Sequence, residues 1–118
     1  MNDKVNVKLL KGLLDIIVLR IVATTPLHGY SIIINIKKRF GVYFGPSTIY
    51  PLLNVLEKEG LVKSDWQLNS KRPRKVYSST ALGNTELERW LSNLRMIVVK
   101  TGLDIEVRQP MIVAQPQA

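Results

Sequence analysis

The stretch that decides the fold is "GPSTIYPLLNVLEKEGLV", residues 45–62. From Ile49 onward it has the spacing of an amphipathic helix, with Ile49, Leu52, Leu53 and Leu56 on one face. Yet Pro51 lies inside that helix, where proline removes a backbone hydrogen bond and crowds the preceding turn. Ser47 or Thr48 can serve as the N-cap. A cap at Ser47 places Pro51 at the start of the second turn, where only one backbone bond is lost. Gly60 is the natural C-terminal stop. The helix is thus compromised at its first turn and sound afterwards. A helix end that offers free N–H groups and hydroxyls suits contact with phosphate.

Upstream, residues 9–24 read as one helix whose polar residues keep to a narrow stripe, so it should be buried nearly all round. Thr25 and Pro26 end it. Residues 28–40 read as a second helix, with Tyr30, Ile33, Ile34 and Phe40 on one face and Ile32 and Ile36 beside it. Its last turn holds Lys37, Lys38 and Arg39, where cations suit the helix dipole.

Downstream, "LVKSDW" and "VYSST" read as two strands of a hairpin, with Asn69 and Ser70 in the turn. Between them Lys71, Arg72, Arg74 and Lys75 are split by Pro73, which stiffens the turn and displays the charges at the hairpin tip. Thr80 can cap a fourth helix. There Leu87, Leu91, Leu94 and Val98 repeat at heptad spacing, with Trp90 and Ile97 alongside. Gly102 ends it, and residues 103–118 carry no assignable pattern.

The fold class that follows is mainly α with a small β-hairpin. Two helices and a third with a polar start make a helix-turn-helix, and the basic hairpin makes a wing. A C-terminal dimerisation helix completes it. The boundaries are a winged helix-turn-helix domain at 1–80, a dimerisation helix at 81–102 and a tail of unknown role at 103–118.

Composition excludes other classes. At 118 residues and 46% hydrophobic, the chain can bury one small core, which invites further burial against a partner chain. With no cysteine and one histidine, it has no disulfide, no thiolate metal site and no multi-histidine zinc site. No phosphate-binding glycine loop or dinucleotide fingerprint is present, so no cofactor or metal is expected. His28 has no serine, cysteine or paired carboxylate placed to work with it, and capping of the second helix is its expected role. This argues against an enzyme. The N-terminus lacks the pattern of a signal peptide, and the longest apolar stretch, broken by Asp15 and Arg20, is too short to span a bilayer. A soluble, cytoplasmic protein without a membrane partner is expected.

The net charge is +8, and all of it lies in residues 1–83, with 13 basic against 5 acidic side chains. Residues 84–118 balance. The first two-thirds should therefore face a polyanion.

Four stretches, in order, resemble one family. "LHGYSI" (27–32) opens the second helix, and "STIYPLLNVLEKEGLV" (47–62) carries a Tyr-Pro pair in the third. "KRPRKVY" (71–77) is a basic wing, and "TALG" (80–83) starts the long helix. On these the chain is similar to the PadR-family transcriptional regulators, over about residues 9–95. The resemblance implies a homodimer that binds double-stranded operator DNA and represses transcription. It also implies a small aromatic effector in a pocket between subunits, which Trp90 would line. Two positions depart from the family. Asn54 and Val55 stand where basic residues are common, and Ser78 where an arginine often follows the tyrosine.

The expected DNA contacts are Ser47, Thr48, Tyr50 and Asn54 from the third helix, and Lys71, Arg72, Arg74 and Lys75 from the wing. The expected dimer interface is Leu87, Trp90, Leu91, Leu94 and Val98. Trp66, on the first wing strand, is expected to pack in the core or on the sheet. The alternative is a non-specific architectural nucleic-acid-binding protein on the same fold, which the uncharged recognition helix makes credible.

Overall fold

The computed structural model describes residues 4–69 and 71–102. Ser70 of the expected turn and the tail at 103–118 lie outside them. In chain order the elements are α1 (Val7–Gly12), α2 (Leu14–Thr24), β1 (Leu27–His28), α3 (Gly29–Phe40), α4 (Pro46–Lys58), β2 (Val62–Gln67), β3 (Arg74–Ser79) and α5 (Ala81–Lys100). The strands form one antiparallel sheet in the order β1-β3-β2. The mainly helical winged fold is present, and β1 adds a third strand that the sequence did not suggest.

The helix expected over 9–24 is two helices. At Leu13 the backbone turns to φ −108°, ψ 11°. Its N–H bonds the Leu10 carbonyl, three residues back, and the α-helical ladder is interrupted just after Gly12. Burial nearly all round does not hold for α1. Val7 and Leu9 are 45% and 60% exposed, because a six-residue helix turns only Leu10 inward. In α2 the buried residues are Leu14, Val18, Leu19, Ile21 and Val22.

The buried stripe of α3 is Gly29, Ile32, Ile33 and Ile36, rotated one position from the expected face. Tyr30 is 63% exposed. The cause is Gly29: a Cβ there would overlap the ring of Tyr50 on α4, so the glycine faces inward and the tyrosine beside it faces out. Gly41 ends α3 in the left-handed conformation, φ 74°, with its N–H 2.9 Å from the Lys37 carbonyl.

The cap of α4 is neither Ser47 nor Thr48. Gly45 is the N-cap and Pro46 the first helical residue. Proline's fixed φ and missing N–H suit that position, and the Thr48 and Ile49 amides both donate to the Gly45 carbonyl at 3.0 Å. Pro51 removes one bond, the one its own N–H would have made to the Ser47 carbonyl. Behind it Ile49, Leu53 and Leu56 are fully buried. Leu61 N–H reaches the Leu56 carbonyl at 2.9 Å, with Gly60 at φ 78°, closing the helix with a Schellman turn.

The hairpin ladder runs from Val62↔Ser79 to Gln67↔Arg74. Arg74 and Lys75 therefore stand on β3, and only Lys71 and Arg72 of the four cations belong to the turn. The Trp66↔Lys75 pair explains the longer strand, with the Lys75 ammonium 5.9 Å from the centre of the Trp66 ring. Trp66 is 58% exposed, so it packs on the sheet and not in the core.

At the start of α5, the Thr80 hydroxyl accepts from the Gly83 N–H at 2.9 Å and donates to the Gly60 carbonyl at 2.6 Å. A Cβ on Gly83 would overlap the Leu61 carbonyl. Threonine and glycine three apart are what this junction requires. The first compact unit ends at Leu87, which is 3% exposed. The second begins at Glu88 and contains the rest of α5. In it Met96, Ile97 and Val99 are 50%, 59% and 47% exposed, and Trp90, Leu91, Leu94 and Val98 are half-buried.

Candidate nucleic-acid interface

A cleft of about 670 Å³ lies between α4 and the wing. Tyr50 and Asn54 line it from α4. From the wing come Trp66, Arg72, Pro73, Arg74, Lys75 and Tyr77, and from the β1–α3 junction His28 and Tyr30. Three of these side chains are cations and none is a carboxylate. Such a concavity attracts an anion and holds aromatic surface beside it.

Each side of the cleft is braced. Tyr50 rests on Gly29, as its ring occupies the space a β-carbon would fill. Ser64 Oγ on β2 donates to Glu57 Oε2 on α4 at 2.7 Å, fastening that helix to the sheet. Tyr77 on β3 is buried, and burial pushes its phenol above the ordinary 10.0, with the Glu57 carboxylate and Tyr50 adding to the shift. The neutral phenol is the form this site accommodates.

Of the side chains expected to contact DNA, the cleft gathers Tyr50, Asn54, Arg72, Arg74 and Lys75. Ser47 is exposed and Thr48 half-buried on the first turn of α4, and Lys71 is exposed in the turn of the wing. None of these three lines the cleft. Asn54 and Val55 are exposed, so both face away from the core at the positions where the helix is uncharged.

Of the residues expected at the dimer interface, Leu87 is enclosed by the core of its own chain and has little surface to offer a partner. Trp90, Leu91, Leu94 and Val98 keep part of theirs.

For His28 the sequence suggested a capping role alone. It occupies the N-cap position of α3, as expected, but its side chain makes no capping bond. Its Nδ1 lies 3.0 Å from Ser31 Oγ, and its Nε2 lies 2.7 Å from Nη1 of Arg74. The sequence held no signal for the second contact, which spans 46 residues and depends on β1 pairing with β3. Trp66 packs on the sheet, one of the two placements expected for it, but its position in the cleft rests on cross-strand register and was not foreseen.

Among the described residues, no group of histidine, cysteine or carboxylate side chains could hold a metal ion. Among the same residues, no helix is long and apolar enough to cross a membrane.

The family model described as "Transcriptional regulator PadR-like family" matches residues 18–89. A PadR family transcriptional regulator from Eggerthella lenta is 28% identical, over 80% of this chain and 83% of its own, with a TM-score of 0.75. A PadR-like transcriptional regulator from Bacillus cereus is 27% identical, over 80% of this chain and 93% of its own, with a TM-score of 0.72. Bacillus subtilis PadR, solved in complex with operator DNA, is 29% identical over 67% of this chain and 46% of its own, with a TM-score of 0.61. No curated protein matches.

Proposed function

The chain belongs to the PadR-like family of transcriptional regulators, a family of regulators and not of enzymes, and we propose that it is a sequence-specific DNA-binding repressor acting as a cytoplasmic homodimer. The observation that carries this reading is the cleft, where Asn54 of α4 and the wing cations Arg72, Arg74 and Lys75 share one surface. The likeness to Bacillus subtilis PadR, whose structure holds operator DNA, supports it.

In this reading α4 enters a major groove, which is about 12 Å wide in B-DNA. Asn54, exposed on α4, pairs with an adenine edge, the bidentate match that its amide permits. The wing cations sit on the neighbouring backbone and set affinity without reading sequence. Ser47, Thr48 and Lys71 add phosphate contacts from the rim. The half-exposed seam of Trp90, Leu91, Leu94 and Val98 joins two copies. Trp90, beside that seam, is where a small aromatic effector would bind. Two-fold symmetry then gives a pseudo-palindromic site with half-sites about 10 base pairs apart, or a multiple of that. Repression follows from occupancy, since a dimer across two half-sites excludes other proteins from that stretch of promoter.

The second reading, a non-specific architectural binder, is favoured by one observation: the exposed face of α4 at Asn54 and Val55 carries no charge. One experiment separates the two. Genomic fragments captured by the purified chain are sequenced, and the enriched duplex is competed against random duplex. A specific regulator prefers the enriched duplex by about a thousandfold or more. Equal competition selects the architectural reading.

A further inference from the structure

Arg74 Nη1 lies 2.7 Å from Nε2 of His28, and the other nitrogen of that ring lies 3.0 Å from Ser31 Oγ. A guanidinium nitrogen only donates. Nε2 must therefore accept, so it carries no proton. The ring is then the neutral Nδ1–H tautomer, and Nδ1 donates to the Ser31 hydroxyl. Both nitrogens are satisfied by one arrangement.

The placement comes from the sheet. His28 pairs across β1 and β3 with Val76, and Arg74 stands two residues along β3 from that partner, on the diagonal. The histidine is also the residue before α3, whose Ser31 fixes the far side of the ring. The imidazole thus bridges the helix-turn-helix body and the wing. The plain capping role is left without a contact, since the side chain makes no bond to the backbone of α3.

We infer that His28 is a positioning residue for DNA binding, which holds the guanidinium of Arg74 in the cleft beside α4 before DNA arrives. The inference rests on the DNA-binding reading above. A long cationic side chain in water samples many rotamers, and ordering one on binding opposes affinity. The contact to His28 removes that freedom in advance. A guanidinium has five N–H donors, so the one committed to the ring does not exhaust its capacity for phosphate.

The test uses the full chain and the duplex enriched by fragment capture, at fixed salt. His28→Phe keeps a ring and removes the acceptor. His28→Gln keeps an acceptor at similar reach. Expected results are an affinity about 2- to 10-fold weaker for His28→Phe, near wild type for His28→Gln, and no further loss when His28→Phe is added to Arg74→Ala. Imidazole ¹⁵N spectra of the free protein at neutral pH give the second readout. The wild type shows the Nδ1–H tautomer, and Arg74→Ala moves the ring toward Nε2–H. An equal loss from His28→Phe with and without Arg74, a failure of glutamine to restore affinity, or a tautomer indifferent to Arg74 overturns the inference while leaving DNA binding intact. A wild-type chain that binds no duplex overturns the DNA-binding reading, and this inference with it.

Discussion

At Gly83 the missing side chain is itself the structural requirement. Its hydrogen faces the Leu61 carbonyl so closely that a β-carbon would overlap it, while its N–H is held by the Thr80 hydroxyl at 2.9 Å. The obstacle is the backbone of Leu61, so a larger residue forces α5 to move. Gly83→Ala should lower stability by about 1–3 kcal/mol, despite alanine's better helix propensity. A denaturant titration checks this, through a lower midpoint at an unchanged slope. Tyr77 makes the opposite kind of demand, for a neutral group in a buried place. Its phenol keeps its proton above 10.0 in the folded chain and releases it at about that value once unfolded. Below pH 10 both states hold the proton, and the contribution is intact. Above it the folded state binds more protons than the unfolded one, and stability falls until the folded phenol also ionises. Wild type should therefore lose stability more steeply than Tyr77→Phe as pH climbs past about 10, with parallel curves below it. Curves that stay parallel throughout would assign the alkaline loss to other groups.

Elements divide the work that single residues begin. On the proposed reading, helix α4 carries the side chains that reach base edges and the wing carries those that meet the backbone, so their substitutions should fail differently. Arg72→Ala with Arg74→Ala should weaken binding to every duplex alike and flatten the salt slope by about 0.9 for each phosphate no longer neutralised. Asn54→Ala should leave that slope alone and reduce preference for the enriched duplex by about 1–3 kcal/mol. Anisotropy titrations over a range of salt, on enriched and random duplexes, distinguish the two patterns. Much of this was legible in the sequence. Ile49, Leu53 and Leu56 have helical spacing and are fully buried, and Gly60 stops the helix as read. The start of α4 was misread because a serine or threonine is the commoner cap, whereas Pro46 at the first helical position moves the cap back to Gly45. The face of α3 was misread by one position because hydropathy scores Tyr30 as a core residue and Gly29 as nothing. What reversed them was the ring of Tyr50, which comes from another helix. Strand β1 and the His28–Arg74 contact were illegible for the same reason, since a two-residue strand has no periodicity and exists only through its partner.

On the scale of the whole molecule, the chain contains more apolar surface than its own core uses. The core through Leu87 is closed, with no buried polar residue among those described. Beyond Leu87 the helix still carries Trp90, Leu91, Leu94 and Val98 at heptad spacing, and Met96, Ile97 and Val99 are about half exposed. An isolated helical segment of this length is marginal in water, so burial against another surface is what would keep it formed. A second copy supplies a matching stripe by symmetry, and the balanced charge of residues 84–118 does not oppose its approach. The expected partner patch is shorter than the sequence suggested, because Leu87 is already spent on the core. The proposed dimer is therefore separable from the fold. Leu91→Asp with Leu94→Asp places two charges in the seam and leaves every residue of the first unit unchanged, so the winged domain should keep its helical circular dichroism while sedimentation reports a monomer. Loss of the dimer removes the tethering of one half-site to the other. That tethering raises affinity by about 10² to 10⁴ for a bivalent ligand of suitable geometry. Affinity for a two-half-site duplex should fall by about that factor, while weak binding to a single half-site stays as it was. A folded dimer that survives both aspartates would place the interface on another surface, and the exposed face of α1, with Val7 and Leu9, would be the next to test.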